Sequence, residues 1–292
     1  MNLKQILDLI KKSVKAWVDD YAPSMGAALA YYTLFSITPL LIIAIAVASL
    51  VFGHEAAQGE IIGQIQGLIG QEGAIAVQGL LKNANKPAHS MLAIAGSLIT
   101  MIIGATTVFG ELQSDLDRIW RVSAPAQKSG LWHLLRTRLL SFGFVLGVGF
   151  LLLISLVISA AIAGFGKWFS SLFAGGEVLL VALDLSISFA ITTVLFALIY
   201  KFMPRATVAW RDVWIGAAVT AFLFAIGKLL LGLYLGKTSV ASGFGAAGSL
   251  VILLLWIYYG AQIFLLGAEF TWVYSNTYGS KAAKGTEIQP LS

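Results

Sequence analysis

The chain has 292 residues, of which 58% are apolar and only 11% charged, and its mean hydropathy is +0.86. Average soluble domains carry about 25% charged residues, so a soluble globular enzyme, a disordered chain and a collagen-like fibre are excluded. The absence of cysteine removes disulfides, cysteine zinc sites, iron–sulfur clusters and thiol nucleophiles, and the net charge of +5 matters through its distribution across a membrane.

In chain order, Leu3, Ile6, Leu7, Ile10, Val14, Trp17 and Val18 recur at helical spacing, while Lys4, Asp8, Lys11, Lys12, Lys15 and Asp19 take another face. This predicts an amphipathic helix over 3–20, lying on the membrane surface or packed on the protein itself. Its spaced apolar residues do not form the continuous core of a cleavable signal peptide. Six apolar segments follow, at about Gly26–Phe52, Met91–Gly110, Leu139–Ala163, Val178–Tyr200, Val213–Leu235 and Ala246–Tyr274. Each reaches the roughly 20 residues that a helix needs to cross about 30 Å of hydrocarbon. The expected fold is all-α: a single polytopic membrane domain over 1–275 with six transmembrane helices, followed by a flexible tail at 276–292.

Fourteen of the nineteen lysines and arginines fall in the N-terminal stretch, the loops after the second and fourth spans, and the tail. Only Lys82, Lys86, Lys167 and Lys237 fall in the opposite loops, and Lys228 lies within the fifth span. By the positive-inside rule both termini are expected in the cytoplasm. The long His54–Ser90 loop is then external. Its apolar spacing predicts two short helices, broken at Gly70 and Gly73, that act as a lid, a gate or a docking site.

Ionisable groups inside a membrane are candidates for function. Asp184 and Lys228 lie at matching depth in the fourth and fifth spans and read as a pair, either fixing helix register or forming a binding site for an anionic headgroup or a proton relay. Glu111 ends the second span and Glu269 lies near the inner end of the sixth. Arg118, Arg121, Arg205 and Arg211 are available to them, which predicts a carboxylate–arginine network with Trp120 as an interfacial anchor. Tyr31, Tyr32, Ser36 and the helix-bending Pro39 give the first span a polar face directed at the bundle interior. Gly143 and Gly147 form a close-packing G-x-x-x-G in the third span. His54, His89 and His133 are scattered, no metal or cofactor motif is present, and no basic–aromatic platform for nucleic acid is seen. Membrane lipids are the expected partners.

The segments Ala27 to Pro39 (AALAYYTLFSITP), Leu112 to Val122, and Leu255 to Glu269 (LWIYYGAQIFLLGAE) resemble the YihY/BrkB family of bacterial inner-membrane proteins. The resemblance covers roughly residues 10–275 and implies six membrane helices. It places Tyr31, Pro39, Trp120, Gly267 and Glu269 on family motif positions, and it finds Asp117 where many members carry Asn. The family has carried a ribonuclease label and a virulence-factor label. The ribonuclease label finds no clustered metal ligands here to support it. Two non-enzymatic readings stay open: a transporter or exporter of a lipid or amphiphilic solute, and a structural or envelope-assembly protein.

Overall fold

A computed structural model of the chain describes residues 2–84, 107–122, 176–237 and 248–282. Among the described residues the regular structure is entirely helical. It comprises α1 (Leu3–Asp19), α2 (Ala22–Phe52), α3 (His54–Ala84), the helical residues 107–119 (α4), α5 (Gly176–Phe202), α6 (Trp210–Lys237) and α7 (Gly248–Thr277).

Four of these helices are long and apolar enough to cross a membrane, within Ala22–Leu50, Leu185–Phe202, Trp210–Tyr234 and Gly248–Thr277. They coincide with four of the six expected spans. The expected third span lies outside the described residues, as does the second up to residue 106. The thirty residues of α7 give it a length of about 45 Å, more than a hydrocarbon core requires. It is the central element, packing against α1, α2, α3 and α6, and α5 packs on α6.

Small residues allow this close approach. A side chain at Gly216 would strike Thr271, one at Gly227 would strike Ile263 and Tyr259, and one at Gly26 would strike Gln262. Membrane helices lack a hydrophobic drive towards one another, so intimate contact of this kind carries their association.

The turn between α2 and α3 is made by Gly53, whose φ of 80° an L side chain rarely adopts. The expected pair of short helices in the following loop is corrected: α3 is one continuous helix of 31 residues. Ile62, Ala76, Val77 and Leu81 pack in a common core with Ile45 of α2 and Leu253 of α7. That core spans both sides of Gly70 and Gly73, and burial there outweighs the roughly 1 kcal/mol that each glycine costs inside a helix.

α1 divides into three faces. Leu9, Ser13 and Ala16 are buried. Leu3, Ile6, Leu7, Ile10, Val14 and Val18 form an exposed apolar face, and Lys4, Asp8, Lys11, Lys12 and Lys15 occupy the remaining arc.

Candidate functional site

The end of the bundle where α1 meets α2, α4 ends, the α5–α6 link turns and α7 finishes is rich in lysine and arginine, and is here called the basic end. Asp20 stands at its centre. Its N–H closes α1 by bonding to the Ala16 carbonyl at 2.9 Å. Tyr21 then turns the chain with φ at 58°, and Pro23 opens α2, where its missing N–H costs nothing. The elbow directs Asp20 inward, and it is fully buried.

Arg121 approaches from α4. The Val122 N–H bonds to the Asp117 carbonyl and the Arg121 N–H to the Arg118 carbonyl. This is the helix-ending pattern that glycine usually serves, and here arginine holds the left-handed position with φ at 54°. A non-glycine residue there costs roughly 1–2 kcal/mol. Among the described residues Tyr21 and Arg121 are the only non-glycine positions with positive φ, and both border Asp20. Arg121 Nη1 donates to Asp20 Oδ1 at 2.5 Å. The same guanidinium lies 4.9 Å from the ring centre of Trp272, and that of Arg118 lies 5.9 Å from the ring centre of Tyr21.

Glu269 of α7 completes the cluster. It is fully buried, and its carboxyl group is in hydrogen-bonding range of the Asp20 carboxyl, with Arg121 and Asp19 the other charges acting on it. Among the described residues no N–H or O–H donor reaches either oxygen of Glu269 or Oδ2 of Asp20. One guanidinium therefore serves two buried carboxyl groups. The indole N–H groups of Trp17 and Trp120, on the elements that carry Asp20 and Arg121, also lack acceptors.

The surrounding contacts are better satisfied. Asp212, fully buried at the start of α6, accepts from the hydroxyls of Ser275 at 2.7 Å and Ser280 at 2.6 Å and from the Ser280 N–H at 3.0 Å. It thereby fastens the end of α7. Asp117 accepts the Arg205 N–H at 2.7 Å and faces its guanidinium at 3.4 Å, while Gln113 donates to the Met203 carbonyl. These bonds clamp the α5–α6 link to α4. Burial raises the Asp117 pKa, and the Arg205 N–H and charge oppose the rise. Among the described residues no donor reaches Oδ2 of Asp115. Burial first, and the Glu111 charge second, push its carboxyl up to about 7 against a smaller opposing effect of Arg118.

Below this layer the Tyr200 hydroxyl donates to the Phe264 carbonyl at 2.8 Å and lies 3.0 Å from Thr220 Oγ1. A side chain at Gly267 would strike both hydroxyls, so glycine lets α7 pass over this pair.

The chain matches the family described as Virulence factor BrkB over residues 13–290. It belongs to that family. A UPF0761 membrane protein of Pseudomonas aeruginosa (strain UCBPP-PA14) is 30% identical over 259 residues, which cover 86% of this chain and 59% of the relative. One of Alcanivorax borkumensis is 32% identical over 265 residues, covering 88% and 58%. One of Tolumonas auensis is 30% identical over 261 residues, covering 86% and 80%. The chain thus spans about three fifths of the length of the first relatives it matches. No solved structure matches it. The relatives are named as membrane proteins, and their names state no activity.

Three residues on the motifs that suggest the BrkB family gather towards the basic end: Trp120, Gly267 and Glu269. Trp120 is buried beneath the Lys281 ammonium, which lies 5.0 Å from its ring centre, and so is not exposed as an interfacial anchor. Of the expected carboxylate–arginine network, Arg121 joins Glu269 through Asp20, Arg205 pairs with Asp117, Arg118 and Arg211 are exposed, and Glu111 is half-buried beside Asp115. The expected inward polar face of the first span is corrected in part. Ser36 is buried and Tyr32 and Pro39 half-buried, but Tyr31 is exposed, because residues 31 and 35 share a face turned away from α7, where their rings meet at 4.9 Å. Lys228 is exposed on α6, and the Asp184 side chain, like Gly143, Gly147, His89 and His133, lies outside the described residues. Asp20, Asp115, Asp212 and Tyr200 are the site residues that the sequence alone did not single out. Their signal was position: three acids stand within a few residues of a helix end, beside apolar runs. Among the described residues no group of three or more His, Asp or Glu is placed to hold a metal ion.

Proposed function

We propose that this BrkB-family protein moves a lipid or amphiphilic solute across or within the bacterial inner membrane, and that the Asp20–Arg121–Glu269 cluster lies on the path or controls it. The reading takes six spans with both termini cytoplasmic, which makes the basic end the cytoplasmic one, in accord with its lysines and arginines. The observation that carries it is the pair of fully buried carboxyl groups with oxygens that no donor reaches among the described residues. A charge kept in a membrane bundle without full compensation costs several kcal/mol, which a purely structural element has no reason to retain. α1 supports the choice of substrate class. Its exposed apolar face and flanking lysines suit a helix seated at the headgroup level, beside the cluster that its own last residues help to build.

The structural reading has one observation in its favour. Asp212 and Asp117 have their partners and act as fasteners. Reconstitution separates the two. Purified protein in liposomes is assayed for transbilayer movement of a fluorescent phospholipid, by reduction of the outer-leaflet dye. Movement above protein-free vesicles, lost in Glu269→Gln with normal folding, supports transport. Unchanged movement in that variant removes the cluster from the path.

A further inference from the structure

We propose that Asp20 and Glu269 form a proton-binding site in which a single proton bridges their two carboxyl groups. Arg121 fixes where the two carboxyl groups meet: it donates to Asp20 at 2.5 Å and lies 4.9 Å from the ring centre of Trp272, one turn along α7 from Glu269, whose carboxyl faces that of Asp20, and neither carboxyl has a hydrogen on the facing oxygens unless one of them is protonated. Both residues are fully buried. Arg121 supplies one positive charge, directed at Oδ1 of Asp20, and leaves Oδ2 of Asp20 and both oxygens of Glu269 without a donor among the described residues. The charges acting on Glu269 are Asp19 and Asp20 from the end of α1 and Arg121 from the end of α4. With both carboxyls ionised, the two buried acids and Arg121 together carry a net charge of −1, and one added proton makes the set neutral. That proton also joins one oxygen of each carboxyl in a hydrogen bond, so the atom that neutralises the charge serves two of the three oxygens that lack a donor.

A metal ion is a poorer occupant. Hard cations take about six oxygen ligands. Here two carboxyls are available beside a guanidinium that repels a cation, and no group of three or more acidic or histidine ligands stands among the described residues. The strained backbone of Tyr21 and Arg121 fits the same assignment, since the elements that hold the two sides of the pair are fixed in place on either side of it. Release of the proton would leave two facing carboxylates whose repulsion parts α7 from the α1–α2 elbow. This gives a coupling step to the transport proposed above, and only that role rests on the transport reading.

The test reads the proton directly. Infrared spectra of the protein in nanodiscs are recorded at neutral pH in an Asp115→Asn background, because Asp115 is another buried carboxyl with an oxygen that no donor reaches among the described residues. A protonated-carboxyl band that shifts in heavy water, and that is lost in both Asp20→Asn and Glu269→Gln, is expected. Biosynthetic 13C labelling of glutamate or aspartate carboxyls should shift the band in the background protein, so the result holds even where a variant fails to fold. No protonated-carboxyl band, or one that neither variant alters, overturns the proposal. A band abolished when sodium chloride replaces choline chloride at equal ionic strength makes the site a sodium site and also overturns it. Lipid movement is not part of this readout, so a protein that binds the proton but moves no lipid defeats the transport reading alone.

Discussion

Arg121 and Asp20 are 101 residues apart and meet through one hydrogen-bonded ion pair at 2.5 Å. The Asp20 side chain is 1% exposed and that of Arg121 26%, so the two ends of the pair stand in different surroundings. Removing the arginine strands a buried carboxylate, whereas removing the aspartate frees a cation that water can reach. Arg121→Met is therefore expected to destabilise the protein by about 3 kcal/mol, the low end of the range for breaking a buried pair. Asp20→Asn should cost less, and the double variant should recover part of the loss. Thermal unfolding of the purified variants checks this. Strictly additive losses would show that the pair is not energetically coupled.

Asp212 makes a different prediction. Its carboxylate, in the first turn of α6, gathers three donors from Ser275 and Ser280 at the end of α7. Hydrogen bonds to a charged group are worth about 1.5–3 kcal/mol each, and three on one acceptor are not additive. Asp212→Ala is expected to loosen the chain after Ser275 more than it lowers global stability. Limited proteolysis should cut near residues 278–282 much faster in the variant than in the parent. Equal cleavage rates would mean that the end of α7 is held by something else.

The glycines of α7 offer an internal control. At Gly267 an added methyl would strike Thr220 and Tyr200, whereas at Gly260 it would come no nearer than 3.8 Å to the Phe224 ring. Gly267→Ala should destabilise by about 1–3 kcal/mol through overpacking. Gly260→Ala should be neutral or slightly stabilising, because alanine is the better helix former by about 1 kcal/mol. Unfolding midpoints of the two variants side by side decide the matter, and equal effects would contradict the close crossing of α6 and α7.

The pH dependence follows from Asp115. Burial pushes its folded carboxyl up to about 7, above the ordinary value of 3.8. Between those values the folded chain keeps a proton that the unfolded chain releases, so stability falls as pH rises through this window and levels off above about 7. Asp115→Asn should flatten that part of the profile and stabilise the protein at pH 8. Melting temperatures from pH 5 to 8 test this, and an Asn variant with the parent's slope would show that the slope comes from other groups.

These predictions rest on residues that differ in how visible they are in the sequence. The four described spans are plain from hydropathy, because membrane helices must be apolar along their whole length. Glu269 stands out as an acid in such a run. Its partner Asp20 does not, since an acid just beyond an amphipathic helix looks like any solvated residue until the elbow at Tyr21 turns it inward. Depth along a helix is readable from the sequence, but the direction in which a side chain leaves the axis is not. Tyr31 is exposed for that reason although its segment is partly buried. In α3 the local signal of Gly70 and Gly73 misleads, because contacts with Ile45 and Leu253, distant in sequence, hold the helix together across them.

The orientation is the last prediction, and every functional statement about a cytoplasmic cluster depends on it. Its motive is the gathering of lysine and arginine at the end that holds Asp20, Arg121 and Glu269. The chain contains no cysteine, so single cysteines report without interference. Lys4 of α1 and Gly59 of α3 are exposed, and no neighbour lies within 4 Å of a side chain built at Gly59. Neither position takes part in the basic-end contacts described above, whereas Ser280 would be a poor choice because it holds Asp212. An impermeant maleimide added to intact cells with a permeabilised outer membrane should label Gly59→Cys and spare Lys4→Cys. Lysis should then expose Lys4→Cys to the reagent. The reverse pattern would place the Asp20–Glu269 pair on the external side, where a proton drawn from the periplasm, rather than one released to the cytoplasm, would have to fill it.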